Sequence, residues 1–184
     1  MKKLIDIIFV LSAVSIPSYA LSQSVDSGVD GLVSLLRDVE AVEYKTDRLV
    51  KPFTLPVAKG AIAIFSVGNF GGGNNWIQYM AVFVDMNKDD IEKKDNHYTL
   101  IDFRTVGGKS WRKIKSVDVT YLKSKSKLRT TLRAMDNDSN EGVNVFSIPV
   151  TVAYDVQPDV GHRILKVSEK KSRNGKSQPL YHTE

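Results

Sequence analysis

The sequence predicts an α+β fold that is mainly β. One N-terminal helix packs on an antiparallel β-meander of about six or seven strands, with a sandwich or a partly open barrel as variants. Three observations carry this reading. A single stretch near the N-terminus, Val25 to Val42, places apolar residues at steps of three and four. From Ala61 onward the spacing changes to strand-like runs, and short polar or glycine-rich turns separate them.

The chain opens on an export address. Lys2 and Lys3 form a short basic start, Leu4 to Ile16 is mostly apolar, and Ser18-Tyr19-Ala20 supplies the small residues that a signal peptidase reads. The apolar run carries Asp6 and falls short of the ~18 residues that a spanning helix needs, so no transmembrane span is expected. Residues 1–20 are read as a signal peptide, 21–167 as a single β-rich domain with its N-terminal helix, and 168–184 as a disordered tail. The expected location is periplasmic or secreted.

Composition narrows the chemistry. Cleavage takes Lys2, Lys3 and Asp6 away, so the formal charge falls from +5 to about +4. The charges are mixed along the chain, whereas a polyanion-binding surface needs Lys and Arg gathered on one face, so nucleic acid is not an expected partner. A weak attraction to the anionic envelope is the milder consequence. The chain has no Cys, which excludes thiol catalysis, zinc–thiolate sites and lipid anchoring at an N-terminal Cys. A domain of this size can hold a hydrophobic core without disulfides.

Each element has its own signal. Val25, Val29, Leu32, Leu36, Val39 and Val42 form one helical stripe, with Arg37, Asp38 and Glu40 largely off it. Gly28 and Gly31 each weaken a helix by about 1 kcal/mol against Ala, so the firm helix is expected to start near Asp30, whose side chain can cap it. Pro52 and Pro56 predict an extended connector. Ala61 to Phe70 and Trp76 to Val84 are apolar on both faces, the mark of central strands covered on each side. Tyr98 to Val106 follows. Val117, Val119 and Tyr121, then Leu128, Leu132 and Ala134, alternate with polar residues across the link Lys123 to Ser126, which predicts a hairpin. Phe146, Ile148, Val150, Val152 and Tyr154 give the clearest alternation. Pro149 lacks an amide to donate and predicts that this strand lies at a sheet edge. Arg163 to Val167 is a last short strand, and the polar segment after it has little to bury.

Two glycine-rich stretches are the candidate binding residues. In Phe70-Gly71-Gly72-Gly73-Asn74-Asn75-Trp76, the glycines and asparagines tolerate the positive φ of a tight reversal. One reading is a ligand-contacting loop with open backbone amides beside Trp76 and Tyr79. The other is a hairpin turn whose aromatics pack in the core, and turn chemistry explains most of these residues. A dinucleotide loop is not the expected reading, because that motif needs a helix directly after the glycines and here a strand follows. In Val106-Gly107-Gly108-Lys109-Ser110-Trp111-Arg112, Phe103 stands where a phosphate-binding loop needs its first Gly. Here Lys109 and Arg112 offer a small anion-binding spot, or the stretch is a second turn with Trp111 tucked beneath it.

These stretches, with Gln78-Tyr79 and Ala81-Val82-Phe83 between them, resemble a group of small exported bacterial proteins of unknown function. The resemblance covers roughly Ala61 to Thr120, about a third of the chain. Members of that group often carry a Cys pair and a more acidic later segment, and this chain has neither. The resemblance implies an exported β-rich domain and no activity, and it suggests that the two glycine loops sit near each other.

Metal and catalytic readings are weak. Asp136, Asp138 and Asn140 alternate like the start of a calcium loop, but Glu141 and Ser147 stand where that loop wants Gly and Glu. Asp85, Asn87 and Asp89 make a similar partial match, and solvated turns account for both. No metal or other cofactor is expected. The histidines, His97, His162 and His182, fit no zinc-protease motif, and no Ser sits in a nucleophile elbow.

The expected function is an exported, non-enzymatic binding or accessory protein of the bacterial cell envelope, with an inhibitor or partner of another exported protein as its specific form. Its contact surface would comprise Gly71, Gly72, Gly73, Asn74, Asn75, Trp76, Tyr79, Lys109, Trp111 and Arg112. A carrier of a lipid or apolar ligand between helix and sheet is one alternative, and an envelope hydrolase is another.

Overall fold

The computed structural model describes residues 24–56, 58–85, 98–125, 127–138, 140–142, 144–156, 167–173 and 176–178. The expected signal peptide, the three histidines, Asn87, Asp89 and most of the expected strand from Arg163 lie outside the described residues.

The helix α1 spans Val25–Leu36: it begins where the periodic stretch begins, so its firm start is not delayed to Asp30, and it ends well short of Val42. Ser24 is the cap: its hydroxyl accepts from the Ser27 amide at 3.2 Å. Asp30 instead pairs with Arg48, whose guanidinium also holds Glu43 (2.7 Å) and Asp26 (3.1 Å) and so ties the start of the helix to the chain that follows it. Gly28 belongs inside the helix because of a close approach. A Cβ there would lie 2.8 Å from the Phe83 ring, so its absence lets the helix seat directly on the sheet. The helix stops at Leu36 because the Asp38 carboxylate captures the amides of Glu40 (3.0 Å) and Ala41 (2.7 Å), an alternative to helical bonding. Val39 is therefore fully exposed, and Val33 joins Val29 as the buried contact.

Among the described residues ten strands form one sheet: nine follow one path of pairings, β2 lies off it against β3, and the two ends do not pair to close a barrel. β1 (Val42–Glu43) and β2 (Leu49–Thr54) both run antiparallel along the same strand, β3 (Lys59–Gly68). The segment expected as a connector is thus a strand. Pro52 stands opposite Ala61, and no ladder partner lies on the other side of β2 among the described residues, so its missing amide is tolerated. β4 (Trp76–Asp85), β5 (Tyr98–Gly108), β6 (Arg112–Leu122), β7 (Lys127–Asn137) and β8 (Phe146–Val156) follow as a meander.

β8 is not an edge strand: β9 (Val167–Arg173) pairs with it from Val150 to Val156, and β10 (Lys176–Gln178) pairs with β9. Pro149 lies just outside that β9 ladder and faces Met135 of β7, so the physics behind the expectation holds at its own position. The described part of the expected disordered tail is therefore strand.

β3 and β4 are buried on both faces. On one, Ile62, Ile64, Met80, Val82 and Val84 meet Ile114, Leu132, Val150 and Val152 from β6, β7 and β8, so the sheet curls to face itself across a core. On the other, Ala63, Phe65, Val67, Tyr79, Ala81 and Phe83 receive Val29 and Val33 of the helix. β5 and β6 pair only through Gly108 and Arg112.

Candidate functional site: a loop end around Trp111

Three turns meet at one end of the sheet. The Lys109 amide donates to the Trp76 carbonyl (3.0 Å), and the Lys109 ammonium donates to the Asn74 side-chain oxygen, which joins the two glycine stretches. The Asn137 amide donates to the Trp111 carbonyl (2.9 Å), and the Phe146 ring lies 5.7 Å from that of Trp76, which adds the β7–β8 turn.

The first glycine loop is closed on itself. Gly71 and Gly72 take φ of 61° and 71°, the left-handed region where glycine is preferred. Gly72 donates to the Asn69 carbonyl (3.0 Å), Gly73 to that of Phe70 (3.2 Å), and Gly71 to the Asp38 carboxylate (2.8 Å). The amides that the sequence suggested were open to a ligand are thus used within the chain. The Gly71 amide, followed by that of Ala41, holds the Asp38 carboxyl below its ordinary range. Tyr44 clamps the base of the loop, its hydroxyl donating to Asn69 at 3.0 Å.

Of the aromatics, two take opposite roles. Tyr79 is only 8% exposed and stacks on Phe103 at 5.2 Å on the helix side of the sheet, where burial raises its hydroxyl pKa. It is a core residue and leaves the candidate surface. Trp111 stays 43% exposed, and Trp76 is half-buried beside it.

Arg112 also leaves the surface. It is 2% exposed, and its Nε donates to the Asp136 carboxylate (2.7 Å), itself 3% exposed. Its guanidinium lies 5.2 Å from the centre of the Trp111 ring, a cation–π contact that braces the indole. Asp136 therefore serves an ion pair, and in the same turn the Asn140 amide bonds the Asp138 carboxylate (3.0 Å), which is turn chemistry.

A second buried polar cluster supports the corner. The Gln78 side chain accepts from the Ile114 amide (2.6 Å), just where β6 has parted from β5 and, on that side, has no ladder partner among the described residues. Gln78 donates to Ser66 (3.1 Å), Ser66 to Asp47 (3.3 Å), and Asp47 pairs with Lys113 (3.7 Å). The Lys113 ammonium in turn lies 6.0 Å from the Trp76 ring. Sequence reasoning missed Gln78, Ser66 and Asp136 as supports. The available signal was an amide and a hydroxyl inside strands otherwise apolar on both faces, which demands a buried partner.

The loop end thus presents Trp111 on a scaffold fixed by backbone hydrogen bonds, a buried ion pair and a polar network. In the adjoining glycine loop Asn74 and Asn75 are exposed, and Lys109 is half-buried. No family model, curated protein or solved structure matches this chain.

Proposed function

We propose that this protein is an exported, non-enzymatic binding or accessory protein of the bacterial cell envelope, and that it engages another exported protein through the loop end around Trp111. One observation carries the reading. A large indole is held at the surface by the buried Arg112–Asp136 pair beneath it. Aromatic anchors fixed before contact lose little conformational freedom on binding, and such residues dominate interface energies. The helix–sheet seam is filled: Gly28 lies against Phe83, and Val29 and Val33 are buried there. That favours a partner on the outside over a ligand sheltered within. The basic, apolar and small-residue order of residues 1–20 supports export.

A photo-crosslinking residue at position 111, in cells making the full chain, tests this reading. The expected product is an adduct between the processed chain and an exported protein, absent when the crosslinker sits at exposed position 50. Unprocessed chain recovered from the cytosol, or no adduct specific to position 111, overturns it.

A further inference from the structure

β5 carries a self-complementary charge pattern on an open edge. Among the described residues it pairs with β4 along its length and with β6 only through Gly108. Along the remaining edge no described residue forms a ladder, and an open edge of this kind is a template for another strand. Ile101 and Val106 are extra residues relative to β4, so bulges bound an unbroken run from Asp102 to Thr105. Bulges of this kind blunt an edge against indiscriminate pairing and confine a partner strand to the short run between them.

Within that run Asp102 and Arg104 flank Phe103, and the two charged side chains form a bidentate pair with both hydrogen bonds at 2.9 Å. Antiparallel ladders alternate between hydrogen-bonded and non-hydrogen-bonded residue pairs. A two-fold axis relating two copies of one strand must map each pair onto one of the same kind, so it passes through a residue that faces its own copy. An axis at Asp102 or at Arg104 brings like charges together. An axis at Phe103 sets Asp102 opposite Arg104 of the second copy, and Arg104 opposite Asp102. Opposite charges directly across a ladder stabilise it, and like charges there destabilise it. Leu100, 39% exposed near the same edge, adds apolar surface.

We propose that β5 is a homodimerisation edge, where two copies pair antiparallel about Phe103 to give an isologous contact. This inference does not rest on the Trp111 surface.

Charge reversal tests it by sedimentation velocity on the purified protein, in a concentration series reaching millimolar. Wild type is expected to dimerise. Asp102→Arg and Arg104→Asp each put like charges across the ladder, so each alone should bind its own copy about tenfold more weakly or worse. A mixture of the two variants restores opposite charges at both positions and should form a heterodimer. Each variant loses the same intrachain pair, so rescue in the mixture separates pairing across copies from a folding defect. A wild type that stays monomeric overturns the proposal, as does a dimer indifferent to the reversals. Two variants with wild-type circular dichroism that fail to associate when mixed overturn it equally.

Discussion

Arg112 and Asp136, 24 residues apart, form a buried ion pair at 2.7 Å directly beneath the exposed Trp111 ring. The pair links β6 to β7 where β6 begins, and it fixes the position of the residue that the proposed interface depends on. A buried pair of this kind is costly to break and need not be stabilising against an apolar replacement.

The first prediction follows from that asymmetry. Asp136→Ala leaves the Arg112 charge buried without its carboxylate and should lower stability by about 3–5 kcal/mol in urea unfolding. The double variant Arg112→Met, Asp136→Leu should lose clearly less than Asp136→Ala alone. A double variant as unstable as the single one would contradict this account of the pair.

Gln78→Leu keeps the volume and removes the acceptor of the Ile114 amide. A buried amide left without a partner costs about 1–3 kcal/mol. The expected result is a loss of that size, together with faster hydrogen exchange at the Ile114 amide. Exchange there at the wild-type rate would show that Gln78 does not protect it.

Gly28 and Gly31 sit in one helix and should respond in opposite directions to Ala. A Cβ at Gly31 meets nothing within 4 Å, so Gly31→Ala should stabilise by up to about 1 kcal/mol through helix propensity. A Cβ at Gly28 comes within 2.8 Å of Phe83, a core side chain, so Gly28→Ala should destabilise by about 1–3 kcal/mol despite the same propensity gain. Thermal melts of the two variants decide it, and a stabilised Gly28→Ala would remove the close approach of helix and sheet.

Asp38 gives a pH prediction. Its carboxyl is held below the ordinary value of 3.8, chiefly by the Gly71 amide and then by that of Ala41. A carboxyl with a lowered folded-state pKa adds stability above its unfolded pKa, and that stability is lost as pH falls through the folded value. Carboxyl NMR should therefore place the Asp38 midpoint below 3.8, with the Gly71 amide shift following the same curve. In Asp38→Asn this part of the acid response should vanish, whereas a Gly71 shift that ignores Asp38 ionisation would contradict the hydrogen bond between the Gly71 amide and Asp38.

The strands were most legible where burial is two-sided or cleanly alternating. β3 and β4 are apolar on both faces because they lie between a helix and the opposing part of the sheet, and β8 alternates because one face meets the core. β9 left no such mark: Ser168, Glu169, Lys170 and Lys171 show no apolar period, and the strand arises from pairing with β8. Tertiary pairing likewise made a strand of the segment around Pro52. In the candidate site, the proximity of the turns was suggested only by the resemblance, whereas the turns themselves were readable from glycine chemistry. The roles of the aromatics and of Arg112 were not, because they depend on which face a strand residue takes and on a distant partner. Tyr79 falls on the helix side, and the partner of Arg112 is an aspartate that sequence spacing had placed in a turn.

The most direct test of the account compares Trp111→Ala with Tyr79→Ala in two readouts, the melting temperature and crosslinked capture of partner from the periplasm. The account predicts that Trp111→Ala melts nearly as wild type and loses capture, while Tyr79→Ala lowers the melting temperature by several degrees, as a core truncation does. Capture that survives Trp111→Ala, or a melting loss for Trp111→Ala as large as that for Tyr79→Ala, would contradict it.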